Sequence, residues 1–174
     1  ILCSSVHYYP RKMNWFNLFS KIPFIVNSRK SKNLLKNLEK INAPILFEGL
    51  HTTYYLNHSK INQRPQFVRA HNIEADYYKM LAIAEKNIIQ KLYLFTEHLK
   101  IKSYEKRLKN AEGILSISQK DHEHFNGIGN SHYIKAFHPN KNVSSKTGLG
   151  EYAIVQLLAI LFLRVFYFGF QEHL

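Results

Sequence analysis

The chain has 174 residues, 45% of them hydrophobic and 21% charged. That suits one globular domain and excludes a wholly disordered chain, and the single cysteine excludes an internal disulfide framework and a cysteine-based zinc site. Lys and Arg number 24 against 12 Asp and Glu, a net charge of +12, which favours polyanionic surroundings: nucleic acid, anionic lipid or phosphorylated substrates.

Val6-His7-Tyr8-Tyr9 is short, aromatic and β-branched and ends at Pro10, so a strand is expected. Residues 11–27 are basic and aromatic and contain Pro23, which predicts a loop or short helical turns. Ser28 is a plausible N-cap, and Leu34, Leu35, Leu38 and Ile41 recur at helical spacing, so a helix is expected from about 28 to 41. Ile45-Leu46-Phe47 is a continuous apolar run of the kind found in strands buried on both faces. After Gly49, His51-Thr52-Thr53 offers a threonine cap for a short helix. Gln66–Ala70 is the next strand candidate.

From Glu74 the period changes. Ile73, Tyr77, Met80, Ala84, Ile88, Leu92, Phe95 and Leu99 lie three or four apart, and Ile101, Tyr104, Leu108 and Ala111 continue the rhythm. This predicts one long helix or two in series, with Lys, Glu and Gln outward. Ile114–Ile117 reads as a strand. Ser118 then caps a short helix with Asp121 at its third position, and His132–Ala136 reads as a last strand. The alternation predicts an α/β fold: a Rossmann-like parallel sheet flanked by helices over residues 1–150. Ligands of such sheets bind beyond the carboxyl ends of the strands. That directs attention to Glu48, Gly49 and His51, then Arg69, His71 and Asn72, then Ser118, then Phe137 and His138.

His71 precedes the helix that opens at Glu74. An imidazole there can orient a substrate hydroxyl; alternatively it bonds a backbone carbonyl and Glu74 caps the helix. Glu48 can orient His51 or a sugar hydroxyl, and Gly49 lets backbone approach a ligand; the plainer alternative is a turn glycine beside a solvated acid. Asp121-His122-Glu123-His124 suggests a metal cluster, but His122 and His124 point to different helix faces, so a solvated face is the better reading. The basic run from Arg11 to Lys32 is interleaved with Trp15, Phe16, Phe19 and Phe24. It suits single-stranded nucleic acid, a membrane surface, or a solvated face with aromatics turned inward. No nucleic-acid-binding signature accompanies it, so nucleic acid is not favoured. No dinucleotide fingerprint, Walker A loop, nucleophile elbow or zinc-protease motif occurs.

Ala153–Phe170 is apolar except for Gln156, Arg164 and Gly169. A spanning helix needs ~20 residues, so a membrane segment would be marginal here. The abrupt change of composition after Tyr152 suggests instead a truncated or out-of-frame start of a second domain over 151–174. With Ile1 in place of an initiator Met, the expectation is a fragment.

Four blocks carry a resemblance: Pro44–Thr52, Val68–Tyr78 with its Arg69-Ala70-His71-Asn72-Ile73-Glu74 core, Ala111–Ser118, and Ala136–Asn140. Together they resemble the N-terminal half of bacterial glycosyltransferases of the GT-B, family 4-like type, nearest the Bacteroidetes subgroup. The resemblance implies two Rossmann-like domains facing a cleft, with the acceptor bound by the first and a nucleotide-sugar by the second. The implied reaction moves a hexosyl group to a glycan or lipid-linked acceptor, usually with retention and without a metal. It implies an acceptor-side role for His71; the strand-end residues Glu48, Gly49, His51, Arg69, Asn72 and Ser118, with Glu74 at the helix start, are then the expected acceptor-binding set. It implies no cofactor beyond the nucleotide-sugar co-substrate, and a cytoplasmic location with peripheral contact at the inner membrane face. The family's first strand and Gly-rich loop would precede residue 1. Gly148–Ala153 resembles the opening of the second domain, but the expected His-Gly-Asn does not follow. Inactivity of this chain alone is therefore expected, with a small basic membrane-surface or nucleic-acid-binding protein as the alternative.

Overall fold

The computed structural model describes residues 5–135. The 150/151 domain boundary, the apolar tail, Phe137, His138 and the end of the last predicted strand lie outside the described residues. Four strands, β1 (Ile45–Glu48), β2 (Gln66–Ala70), β3 (Gly113–Ser116) and β4 (Ser131–Tyr133), form one sheet in the order β1-β2-β3-β4. Every neighbouring pair is parallel. Between and before them lie α1 (Phe24–Asn27), α2 (Lys32–Lys40), α3 (Glu74–Ala84), α4 (Ile88–Glu105) and α5 (Gln119–Asn126). The fold is the expected Rossmann-like α/β type: parallel strands need long crossovers, and helices supply them.

The core is built from β1, β2 and β3 through Ile45, Phe47, Val68, Ala70 and Ile114, met by Ile101 and Tyr104 of α4 and Phe125 of α5. Each fully buried aliphatic side chain there is worth about 1.5–3 kcal/mol. β1 departs from the expected two-sided burial. Among the described residues it is an edge strand with alternating burial, and Leu46 stays 53% exposed.

Val6–Tyr9 is not a strand. It joins no ladder; Asn37 Nδ2 donates to Tyr9 Oη at 2.7 Å, tying the segment to α2 instead. The basic-aromatic stretch forms the short turns expected, a 3-10 helix at Trp15–Phe19 and then α1. The next helix starts later than Ser28 suggests. Ser28 closes α1, and Ser31 caps α2 by accepting from the Leu34 N–H at 3.4 Å.

The long periodic stretch is two helices, not one. Glu85 ends α3, and Asn87 restarts the chain by accepting from the Ile89 and Gln90 N–H groups. Much of the apolar stripe read along the sequence faces outward on both sides of that break. Met80, Ile88 and Leu92 are exposed, as are Tyr77, Phe95 and Leu99. The two helices pack on each other, and α3 buries small residues, Ala75 and Ala82, with Tyr78. α4 buries Glu97, His98, Ile101, Tyr104 and Glu105.

The two buried glutamates explain how α1 and α3 begin. Neither Pro23 nor Ile73 provides a side-chain cap. Glu97, 0% exposed, accepts from the Phe24 N–H at 2.7 Å and from Lys100 Nζ at 2.8 Å. Glu105 accepts from the Ala75 N–H at 3.1 Å, while His98 Nδ1–H donates to the Ala75 carbonyl at 2.8 Å. Free N–H groups at helix starts need such partners, and here α4 supplies them from a distance. No helix among the described residues is long and apolar enough to cross a membrane.

Candidate functional site

The parallel register sets Glu48 of β1 beside Arg69 of β2 at the carboxyl ends of both strands. His71 follows two residues later, after the strand has ended. The result is a compact charged group on the rim. His71 Nε2 lies 2.7 Å from Glu48 Oε1, and Arg69 Nη1 lies 3.5 Å from the same oxygen. His71 therefore pairs with a carboxylate, not with a backbone carbonyl. Its Nδ1 has no hydrogen-bond partner among the described residues.

Glu48 does not orient His51. The imidazole of His51 sits over Gly49 instead. Gly49 has φ +84° and ψ 156°, and a Cβ there would lie 2.7 Å from His51 Cε1. The glycine is required both by its backbone region and by the ring resting on it. The threonines of the following 3-10 helix, Leu50–Tyr55, do not cap it: Thr52 Oγ1 donates back to the Gly49 carbonyl and Thr53 Oγ1 to the Leu50 carbonyl. Burial pushes the His51 imidazole down to about 4, helped by the charges of Arg29, His71 and Arg11. At neutral pH it is an uncharged ring.

Asn72 and Glu74 lie on the α3 side of the rim. With Gly49, His71, Glu105 and Phe125 they line a cavity of about 10 Å³, the room of about one water. Burial raises the Glu74 carboxyl above its ordinary value, and the nearby Glu105 raises it further. Glu105 is itself raised, chiefly by burial; the Ala75 N–H and His124, whose Nε2 lies 3.4 Å from Glu105 Oε2, act against that rise. Glu105 was not among the residues singled out from the sequence. Nothing near it in the chain marks it, because its partners lie 30 and 19 residues away.

Ser118 stands apart from this group. It caps α5, accepting from the Asp121 N–H at 3.1 Å and donating to Asp121 Oδ2 at 2.5 Å. The Asp121–His124 run is less solvated than expected. Asp121 is buried in that cap, His122 Nδ1 lies 3.0 Å from Ser131 Oγ, and His124 reaches Glu105. Among the described residues no group of three His, Cys, Asp or Glu side chains is placed to hold a metal ion.

Two arginines of the basic run, read from the sequence only as part of a charged face, also lie near the rim. α1 packs against the 3-10 helix that carries His51. From the end of α1, Arg29 Nη1 donates to the Ile25 carbonyl, and Arg11 Nη2 donates to Ser28 Oγ at 3.2 Å.

The chain matches no family model, and no curated protein and no solved structure shows significant similarity to it.

Proposed function

We propose that this chain carries the acceptor-binding half of a GT-B type glycosyltransferase. In this reading the rim formed by Glu48, Arg69 and His71 holds a hydroxyl of a glycan or lipid-linked acceptor. A hexosyl group then arrives from a nucleotide-sugar bound by a second domain. The observation that carries the reading is the 2.7 Å contact between His71 Nε2 and Glu48 at the carboxyl ends of adjacent parallel strands. A carboxylate at Nε2 fixes the proton on that nitrogen. Nδ1 is then an acceptor for a sugar hydroxyl, and Arg69 holds the Glu48 carboxylate in place. Charge stabilisation at the departing nucleotide would come from the other domain, so the chain alone is proposed to be inactive towards nucleotide-sugars.

The test is a titration of the ¹⁵N-labelled full chain with a panel of octyl glycosides, followed by amide shifts. Shifts centred on Gly49, His71 and Asn72, abolished in His71→Ala and weakened in Glu48→Gln, are expected. Shifts scattered elsewhere, or binding indifferent to both substitutions, overturn the reading. Turnover of a nucleotide-sugar by the 174-residue chain would overturn the proposed inactivity.

A second reading has its own observation. Trp15, Phe16 and Phe19 are 60, 80 and 88% exposed on the 3-10 helix flanked by Lys12 and Lys21. Aromatics among cations suit the headgroup boundary of an anionic membrane. Sedimentation with phosphatidylglycerol vesicles that falls with salt and with Phe16→Ser plus Phe19→Ser supports it; sedimentation unaffected by either refutes it.

A further inference from the structure

We propose that Arg11 and Arg29, with the imidazole of His51, form a phosphate-binding subsite next to the Glu48–His71 pair, and that the group held at the rim is therefore phosphorylated. The substrate class named here rests on the acceptor-site reading above; the subsite itself rests on the arginines.

The first support is their placement. The two guanidinium groups come from different stretches of chain and are brought to the same end of α1. There each is held by a neutral oxygen: the Ile25 carbonyl for Arg29 and the Ser28 hydroxyl for Arg11. The backbone reinforces this, since the Lys12 N–H donates to the Ser28 carbonyl at 2.7 Å. Among the described residues neither arginine has a carboxylate within ion-pairing distance. Arg29 is half-buried and Arg11 exposed; a charge drawn out of water is ordinarily paired, and a second like charge held close raises the cost of leaving Arg29 bare.

The second support is the surrounding chemistry. The charge of Arg11 adds to burial in lowering the Arg29 pKa, which places the two cations within each other's field. The carboxyl that acts against this on Arg29 is that of Glu74, itself pushed up by burial and by Glu105. Opposition from that side is therefore weakened. His51, seated over Gly49 at the end of β1, adds an N–H donor without a third positive charge. Two guanidinium forks and one neutral donor match the oxygens of a phosphoryl group better than a single carboxylate.

The experiment uses the full chain and inorganic phosphate, read by calorimetry and by shifts of the arginine Nε–H and His51 ring signals. The expected result is saturable binding that weakens about tenfold or more in Arg11→Gln and in Arg29→Gln, and persists in His71→Ala. Arg11→Gln is the clean variant, because Arg11 is exposed and its loss leaves the core intact. Arg29→Lys, which keeps charge but not the fork, should bind with intermediate strength. Phosphate binding unchanged in both Gln variants, or no binding by the unaltered chain, overturns the proposal. A parallel arm with phosphatidic acid vesicles separates the sources: vesicle binding lost in Arg11→Gln assigns a lipid headgroup, and vesicle binding unaltered by it, alongside lost phosphate binding, assigns a soluble phosphate ester. Phosphate bound without any octyl glycoside binding would sink the acceptor reading and leave the subsite standing.

Discussion

Two sets of glutamates in this protein do opposite work. Glu97 and Glu105 lie buried on α4, and both oxygens of each are occupied: N–H groups at the starts of α1 and α3, a lysine, a histidine. Glu48 stands on the exposed rim of the sheet, where its neighbours are an imidazole and a guanidinium that solvent also reaches. The difference teaches how to sort acids in an α/β domain. A carboxylate consumed by backbone N–H groups holds the fold; one paired with titratable side chains at a strand end is free to exchange a partner for a ligand.

The sharpest way to break this contrast is to remove one acid from each set. Glu97→Ala leaves Lys100 and the Phe24 N–H without their buried partner and should cost about 3–5 kcal/mol in urea unfolding. Glu48→Gln should cost at most about 1 kcal/mol, as exposed ion pairs do, while weakening glycoside binding. Equal losses would erase the distinction. Next in size is Gly49→Ala. Its backbone lies in a region nearly reserved for glycine, worth about 1–3 kcal/mol, and the new methyl group strikes the His51 ring. Thermal melting should fall and the His51 ring signals should shift together; melting unchanged would remove the role given to that glycine.

A third prediction sharpens the comparison through pH. His51 titrates in the folded chain near 4, below its ordinary 6.5. Its contribution to stability is therefore complete above pH 6.5 and is lost as pH falls from there towards 4. Glu74 and Glu105 have the opposite sign: their raised values give a contribution that is complete below the ordinary 4.5 and lost as pH rises through those values. Melting curves of His51→Asn should converge on those of the unaltered chain as pH drops from 6.5 to 4, and Glu105→Gln should gain on it as pH rises. A constant offset across pH would refute the assignments. The smallest effect belongs to Ser118→Ala, about 1 kcal/mol for a lost cap, with glycoside and phosphate binding unaltered. A binding defect there would return Ser118 to the site.

Much of the sheet was legible because its signals are local. Ile45–Phe47 is an apolar run behind a breaker, Gln66–Ala70 follows Arg64-Pro65, and Ser118 with Asp121 marks the start of α5 by contacts three residues apart. The parallel arrangement followed from the alternation with helices; the pairing of Glu48 with His71 did not, since the expectation gave Glu48 to His51 or a sugar hydroxyl and the pair needs the register of two strand ends. What was illegible depends on distance. Val6–Tyr9 has strand composition but meets no ladder. The rhythm left one long helix or two in series open, and the structure has two, parted at Glu85–Asn87; the same rhythm misplaced the exposed faces of α3 and α4, because which side is covered depends on how the two helices pack. Glu105 gave no pattern at all, and the basic run gave no sign that Arg11 and Arg29 sit near the strand-end rim, because those placements are set by how distant elements meet.

The eight-residue spacing of Glu97 and Glu105 has a consequence for motion. One rod grips two separate helix beginnings, so the aromatic turns near the amino end and the strand-end rim share a single clamp. Fraying of that rod would release both at once. Amide protons of Phe24 and Ala75 should then exchange with deuterium at matching rates, as one cooperative unit.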